Sequence, residues 1–256
     1  MSTPTFAPPQ FSDSHFLEAI RQHGFAVLDA AQLSRLAEVP MSAFADWSPS
    51  WNDLGPDHYL RDGGRYRRRR HSCFVLAPDG VSQVAHRPHW QPVEYNALHG
   101  GMQRHFEPMP QPLLMQAPWQ ALLQWLASVA SAIKGPQTWY AEAHQFRIDT
   151  ADGIGRPTPE GAHRDGVDIV AVFLVNRHGI KGGETRVFAA DSPHGQRFTL
   201  TEPWSLLLLD DARVVHESTP IMPTQPGGYR DTLVLTLRAH GFQENPDTVT
   251  VDSAHG

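Results

Sequence analysis

The sequence predicts an α+β fold in which a β-barrel or jelly-roll core follows a layer of helices. Apolar residues recur at helical spacing near the N-terminus, and a longer apolar stripe indicates a mid-chain helix. From residue 138 onward, short β-rich segments alternate with turn signals. We therefore predict one domain over residues 1–256, with helical and irregular parts over 1–137 and the core over 138–240.

The N-terminal half contains short predicted elements. Phe16 and Ile20 share one helical face and Gly24 is typical of a helix end, so we predict a helix over 14–23. Repeated prolines over 78–113 disfavour long elements there. The other predicted segments are a strand over 25–28, a helix over 31–45, an irregular segment over 48–64 and a strand over 65–76.

The clearest element is the mid-chain helix. Pro118 suits a first helical turn, apolar residues then follow one stripe to Ile133, and Gly135 ends the helix. Its apolar stripe predicts packing across a sheet. The predicted core strands are 139–148, 167–176, 184–189, 198–201, 205–209 and 230–238.

Composition narrows the class of protein. With 40% hydrophobic and 19% charged residues the chain is typical of soluble globular proteins, and its net charge of −6 offers no general attraction to nucleic acid. The lone Cys73 suits a reducing compartment, and the chain shows neither a signal peptide nor a membrane-spanning run, so we expect a cytoplasmic protein. We expect a small-molecule substrate and no nucleic-acid or membrane partner, and a homo-oligomer is compatible with this composition.

Two histidines and a carboxylate form a candidate metal site. His163 and Asp165 are two residues apart just before an apolar run that begins at Ile169, so at a strand end both fall on one face. His216 follows the apolar segment 206–209 and a tight turn, and supplies a third ligand. Two histidines and one carboxylate make the facial triad of non-haem iron enzymes, which leaves positions for a bidentate cosubstrate and oxygen. A His-x-Asp triplet also arises by chance, but its place before a strand favours the metal site.

A candidate carboxylate site lies on the last predicted strand. Alternation places Arg230 and Thr232 on one face, where guanidinium and hydroxyl can bind the same carboxylate. Arg230 could instead cap a surface strand and pair with Asp231 or Asp211. Arg238 is the alternative if the opposite face of the strand points inward.

Four motifs in a fixed order carry a family resemblance. They are His163-x-Asp165, Gly182-Gly-Glu-Thr185, Val215-His216-Glu-Ser-Thr-Pro220 and Tyr229-Arg230-Asp-Thr232. Over about residues 138–240 the chain resembles the Fe(II)/2-oxoglutarate dioxygenases, in particular the bacterial subgroup that contains L-isoleucine dioxygenase and the biofilm-stress protein BsmA.

The resemblance implies a double-stranded β-helix, the cupin-like jelly roll, as the core, and Fe(II), 2-oxoglutarate and O2 as cofactor and cosubstrates. It also implies hydroxylation of a free aliphatic, isoleucine-like L-amino acid or a similar small carboxylate, with release of succinate and CO2. The alternatives are the same iron chemistry on a peptide, lipid or natural product, and a jelly-roll binding protein without catalysis.

Three further polar residues are candidates for the site. Alternation places Gln145 and Arg147 on one face of a core strand, where either could bind a carboxylate of 2-oxoglutarate or of the substrate. The alternative is a solvated polar face. Glu184, after the double glycine, could reach the pocket or only cap a turn.

The basic run over residues 65–71 has two interpretations. Nucleic-acid binding is one, but on a strand the run is expected to split into a solvated face and an inward face. We predict that Arg67 or Arg69 points inward and binds a substrate carboxylate. The histidines of this half show no convincing ligand spacing, and we expect them to be structural or surface residues; they are His71, His86, His89, His99 and His105.

Overall fold

The structure is a computed structural model and describes residues 5–246. The helices are α1 (Phe16–His23), α2 (Ala30–Leu36), α3 (Met41–Trp47), a 3-10 helix (Ser48–Asp53), α4 (Gln111–Leu114) and α5 (Ala117–Lys134). The first strands are β1 (Phe25–Leu28), β2 (Arg67–Ala77), β3 (Gly80–Gln83), β4 (Trp139–Asp149), β5 (Ile169–His178) and β6 (Ile180–Gly182). The later strands are β7 (Thr185–Ala189), β8 (Gly195–Phe198), β9 (Ser205–Asp210), β10 (Val214–Ser218), β11 (Ile221–Pro223) and β12 (Tyr229–Arg238).

The strands build the predicted jelly-roll core. Over residues 5–246 they form a seven-stranded antiparallel sheet in the order β1-β9-β5-β12-β4-β2-β3. A three-stranded sheet, β10-β7-β8, and a two-stranded sheet, β11-β6, complete the core. The large sheet and the three-stranded sheet both contribute side chains to one pocket.

The large sheet is covered on both faces, and alternation along its strands decides which residue faces which layer. On β9, Leu206 and Leu208 pack in the cluster that contains the helices. Their neighbours Leu207 and Leu209 pack on the other face, with residues of the small sheet such as Val187. The pocket therefore lies on the face of the sheet that is turned away from the helices.

Helix α5 covers the sheet as its apolar stripe predicts. Trp119, Leu122 and Leu126 are buried against the sheet, and Trp139 at the start of β4 joins the same cluster. Pro118 occupies the first turn, where its missing N–H breaks no helical hydrogen bond.

The predicted helix over 31–45 is wrong as a single element, because the chain forms α2 and α3 there. Asp29 caps α2 through a capping box with Gln32. Glu38 then adopts a φ of 54°, and Pro40 sets the start of α3. A left-handed residue followed by a proline breaks the helical path.

The core sheet is larger than the sequence suggested. Strands β1 and β2 confirm the strands predicted over 25–28 and 65–76, but together with β3 they belong to the core sheet that contains β4 and do not flank it. The strand expected over 198–201 lies earlier, at Gly195–Phe198, while β6, β10 and β11 were not predicted as strands. None of the helices within residues 5–246 is long and apolar enough to cross a membrane.

Candidate active site

The structure brings together the three predicted metal ligands. His163 and Asp165 lie in the loop before β5, and His216 lies in β10. The backbones of His163 and His216 exchange two hydrogen bonds, with N···O distances of 3.0 and 2.9 Å. This isolated bridge between two segments holds the two imidazoles side by side, with ring centroids 4.7 Å apart.

The three side chains converge on one position. Asp165 Oδ1 lies 3.8 Å from His163 Nε2, and Asp165 Oδ2 lies 3.7 Å from His216 Nε2. One ligand atom from each residue falls within 4.8 Å of the others. This spacing lets the three atoms coordinate a single transition-metal ion, and two histidines with one carboxylate suit Fe(II).

The hydrogen bonds of His163 favour its metal-binding tautomer. Its Nδ1 lies 2.9 Å from the carbonyl oxygen of Gly161, so Nδ1 carries the proton and Nε2 offers its lone pair toward Asp165. Burial opposes protonation, but the charges of Asp165 and Glu160 raise the pKa of His163 above its ordinary value. Burial and the neighbouring His163 lower the pKa of His216 to about 3. A bound divalent cation would compensate the carboxylate charge that His163 otherwise balances by taking up a proton.

Asp211, which the sequence did not single out for this role, fixes the ligand loop. Its carboxylate accepts backbone N–H groups from Asp165 at 2.9 Å, Gly166 at 2.9 Å and Val167 at 3.2 Å. Because these bonds hold the backbone on both sides of the metal-facing carboxylate, they orient it before any ligand binds.

The prediction about the face of β12 is confirmed. Arg230 and Thr232 line the same pocket as the three metal-facing side chains. Arg230 is 4% exposed, and burial together with the nearby Arg177 lowers its pKa to about 10. Arg238, the alternative, donates instead to the carbonyl oxygen of Gly241 and does not line the pocket.

The double glycine lets the chain pass close to Arg230. Gly183 has a φ of 67°, and a Cβ there would lie 3.1 Å from Ile221 Cγ2 and 3.7 Å from Arg230 Cδ. A larger residue at position 183 would therefore strain the backbone and press on Ile221. At position 182 a Cβ would lie 2.2 Å from the carbonyl oxygen of Pro220, so each position of the pair requires glycine.

Three predicted site residues point elsewhere. The prediction that Gln145 and Arg147 face the pocket is wrong, because β4 turns their alternating neighbours His144 and Phe146 toward it. Gln145 instead donates to Ser50 Oγ at 2.7 Å. Arg147 forms a bidentate ion pair with Asp231, with both distances 2.7 Å. The assignment of Glu184 to the substrate site is also wrong, since its carboxylate accepts from Arg186 at 2.9 Å, outside the pocket.

The arginine-rich strand splits into two faces, as predicted. Arg67 and Arg69 are buried and line the pocket, whereas Arg68 points outward near Asp149. Arg67 Nε donates to Asp57 at 2.7 Å, and Arg69 lies between the rings of two phenylalanines, Phe106 and Phe146. Its guanidinium carbon is 3.9 Å and 4.5 Å from their centroids. The pattern places two fixed cations at the pocket wall.

Arg104 adds a third cation, supplied by the proline-rich segment. It is 2% exposed, and its Nη2 donates to Gln91 Oε1 at 2.8 Å. Within the part of the chain that the structure describes, one nitrogen on each of the three arginines is buried without a hydrogen-bond partner. These atoms are Arg67 Nη2, Arg69 Nε and Arg104 Nε.

A second histidine cluster beside the pocket contains His71 and His89, which show no convincing ligand spacing in the sequence and are buried in the structure. Both pack around the Glu142 carboxylate, at 3.6 and 3.0 Å, together with His144. Burial alone raises the pKa of Glu142, but the two histidines hold it well below its ordinary value. Their spacing could not be seen in the sequence because they come from β2, β4 and an irregular loop.

The hydrogen bonds of this cluster favour a supporting role over a second metal site, although its ligand atoms lie within 4.8 Å of one another. Arg69 Nη2 lies 2.8 Å from His144 Nδ1. A guanidinium can only donate, so His144 Nδ1 accepts and the ring proton is on the nitrogen that faces Glu142. The cluster thereby positions Arg69 at the pocket wall.

A jelly roll that gathers two histidines and a carboxylate around one position has the architecture of a non-haem iron oxygenase. The family model described as 2OG-Fe dioxygenase matches residues 48–236. The chain belongs to this family, and it is a 2-oxoglutarate-dependent non-haem iron dioxygenase that uses Fe(II), 2-oxoglutarate and O2.

Solved structures agree with this assignment. The crystal structure of a BsmA homologue from Methylobium petroleophilum PM1 is 51% identical, covers 93% of this chain and 97% of its own, and gives a TM-score of 0.88. IDO from Bacillus thuringiensis shares the fold at 17% identity, with 93% of this chain and 100% of that chain covered and a TM-score of 0.72. The Fe(II)/α-ketoglutarate-dependent dioxygenase TqaL also shares the fold, at 16% identity, 88% and 86% coverage and a TM-score of 0.65. Comparison with curated proteins finds no match.

Proposed function

We propose that the protein hydroxylates a small free amino acid, aliphatic in character, with His163, Asp165 and His216 as the iron ligands. When bound, iron and 2-oxoglutarate supply the oxidation of an unactivated C–H bond, with release of succinate and CO2. The task of the protein is to hold the cosubstrate, aim the substrate and exclude water.

Arg230 and Thr232 are the proposed site for the distal carboxylate of 2-oxoglutarate. Among residues 5–246 no carboxylate forms an ion pair with Arg230, because the adjacent Asp231 is bound by Arg147. A buried guanidinium without a carboxylate partner is costly, and a ligand carboxylate removes that cost. The hydroxyl of Thr232 lies on the same strand face and can donate to the same group.

The observation that carries the proposed substrate is the set of unpartnered nitrogens on Arg67, Arg69 and Arg104. Asp57 and Glu142 lie close to these guanidiniums but leave one buried N–H of each arginine without an acceptor. A ligand carboxylate can accept from these free N–H groups. The pocket, of about 130 Å³, is also lined by Phe146, Ile148 and several valines, which suit an aliphatic side chain.

The test uses a pair of neighbouring arginines on β2. Purified protein with Fe(II) and 2-oxoglutarate is given oxygen and each proteinogenic L-amino acid, and succinate release is measured. We expect one or a few aliphatic amino acids to stimulate release, and Arg67→Met to raise their KM by at least tenfold because a charge-assisted hydrogen bond is lost. Arg68→Met, on the solvated face of the same strand, is the control and should leave KM unchanged. Stimulation only by peptides or larger natural products would refute the free amino acid.

A further inference from the structure

Glu160 is a pocket carboxylate that neither the iron site nor the 2-oxoglutarate site uses. Its side chain is 12% exposed and lines the same pocket as the metal-facing residues. Its Oε1 lies 3.4 Å from His163 Nε2. Its Oε2 is buried and, within residues 5–246, has no hydrogen-bond partner.

The backbone holds Glu160 in place. A turn closes around it, with Gly161 N donating to Thr158 O at 3.0 Å. The Thr158 hydroxyl both donates to Ser218 O and accepts from Ser218 N, each at 3.0 Å, and so ties the turn to β10. Because β10 also carries His216, the carboxylate keeps a fixed position relative to the metal-facing side chains.

His163 cannot be the lasting partner of this carboxylate. The ring proton of neutral His163 is on Nδ1, where it bonds to Gly161, so Nε2 and Glu160 Oε1 present lone pairs to each other. Once Nε2 coordinates a metal ion it has no proton to offer. Burying a carboxylate without a hydrogen-bond donor costs free energy. A ligand that brings a positive charge or N–H groups to Glu160 removes that cost.

The surrounding charges fit a zwitterion. Arg67, Arg69 and Arg104 present free N–H groups, and the charge of Glu160 is close enough to raise the pKa of Arg104 against the dominant effect of burial. An α-amino acid carries its carboxylate and its ammonium on one carbon. The arginines can therefore bind the carboxylate while Glu160 binds the ammonium of the same molecule. Simple carboxylic and 2-hydroxy acids lack the cation that Glu160 requires.

We propose that Glu160 binds the ammonium group of the amino acid substrate and thereby makes the enzyme reject the corresponding 2-hydroxy acid. The inference rests on the proposed function, since it assumes a free amino acid in the pocket. It adds the residue that distinguishes amino acids from other small carboxylates, including a second molecule of 2-oxoglutarate in the substrate position.

The test is the variant Glu160→Gln, which keeps the size of the side chain and removes its charge, with the exposed Glu202→Gln as control. Anaerobic calorimetry on protein loaded with Fe(II) and 2-oxoglutarate measures binding of the twenty proteinogenic L-amino acids. The tightest ligand is then compared with its 2-hydroxy analogue. We expect Glu160→Gln to weaken the amino acid at least about 30-fold, as for other buried charge pairs, and to leave the 2-hydroxy acid within about threefold. Glu202→Gln should bind both compounds as the unmodified protein does.

Three results would overturn the inference. One is equal weakening of the amino acid and its 2-hydroxy analogue. Another is a loss of Fe(II) affinity in Glu160→Gln, which would make Glu160 a metal ligand. The third is binding of 2-oxoglutarate without binding of any amino acid, which would leave the iron and 2-oxoglutarate sites standing. Absence of 2-oxoglutarate binding would instead refute the proposed function itself.

Discussion

Replacing Arg230 by methionine should weaken binding of 2-oxoglutarate without lowering the stability of the fold. Methionine fills most of the space of the arginine side chain but removes the charge and all five N–H donors. Arg230 is 4% exposed, and in the described part of the chain its guanidinium has no carboxylate partner. The unliganded protein should therefore tolerate Arg230→Met, with an unchanged or higher melting temperature, because a buried unpaired cation is removed.

The effect on 2-oxoglutarate should be large. Removing one partner of a buried, hydrogen-bonded charge pair costs about 2–5 kcal/mol. At about 1.4 kcal/mol for each factor of ten, the Kd for 2-oxoglutarate should rise from about 30-fold to a few thousand-fold. The affinity for Fe(II) should not change, since Arg230 contacts none of the three metal-facing residues in the hydrogen bonds and ion pairs of residues 5–246.

The assay is anaerobic calorimetric titration of the Fe(II)-loaded protein with 2-oxoglutarate. Arg238→Met is the matched control, because Arg238 lies on the same strand but outside the pocket. We expect its Kd to equal that of the unmodified protein. If Arg230→Met binds 2-oxoglutarate within threefold of the unmodified protein, or if Arg238→Met shows the larger loss, the assignment of this carboxylate site is refuted.

Two further predictions concern stability. His89 is buried as a neutral ring, and burial lowers its pKa to about 3, so between pH 6.5 and 3 the unfolded chain binds one more proton there than the folded chain. The free energy of unfolding should thus fall on acidification through this window, by up to about 1.4 kcal/mol per pH unit from this group. The variant His89→Gln should flatten the dependence of Tm on pH. An unchanged slope would contradict the buried neutral ring. Leu126 of α5 is fully buried on the sheet face opposite the pocket, so Leu126→Ala should lower the free energy of unfolding by about 2–5 kcal/mol in denaturant titrations. It should leave the Kd for 2-oxoglutarate unchanged, and a parallel loss of affinity would show that the helix layer and the pocket are coupled.

The metal-facing residues could be predicted because their signal is local. His163 and Asp165 stand two residues apart shortly before the apolar run of β5, although they lie in the loop and not on the strand itself. On β12, Arg230 and Thr232 lie on the face opposite Leu233 and Leu235, so the polar face of that strand is defined.

The face of β4 could not be predicted because the strand is buried on both sides. Both faces of the strand carry polar residues: His144 faces the pocket, and Gln145 faces the 3-10 helix. Without an apolar face, period-two alternation does not decide which set points inward. Long-range packing of the sheet decides it.

The three pocket arginines, Arg67, Arg69 and Arg104, could be predicted only in part from the sequence, for a different reason. Arg67 and Arg69 lie on a strand and follow its period, but Arg104 and His89 come from an irregular segment. Those two residues are positioned by pairing with each other, through backbone hydrogen bonds of 2.9 Å in both directions. Such non-local pairing leaves no periodic trace in the sequence.

The central claim is that His163, Asp165 and His216 hold the iron that binds 2-oxoglutarate. The most direct measurement is anaerobic titration of the metal-free protein with Fe(II) and 2-oxoglutarate, following the weak visible charge-transfer absorption of the chelate and the iron bound per chain. We predict one iron per chain and a saturable band for the unmodified protein and for His194→Ala, a variant in an exposed loop. Asp165→Ala and His163→Ala should lose both. Retention of the band and of stoichiometric iron in these two variants would contradict the account.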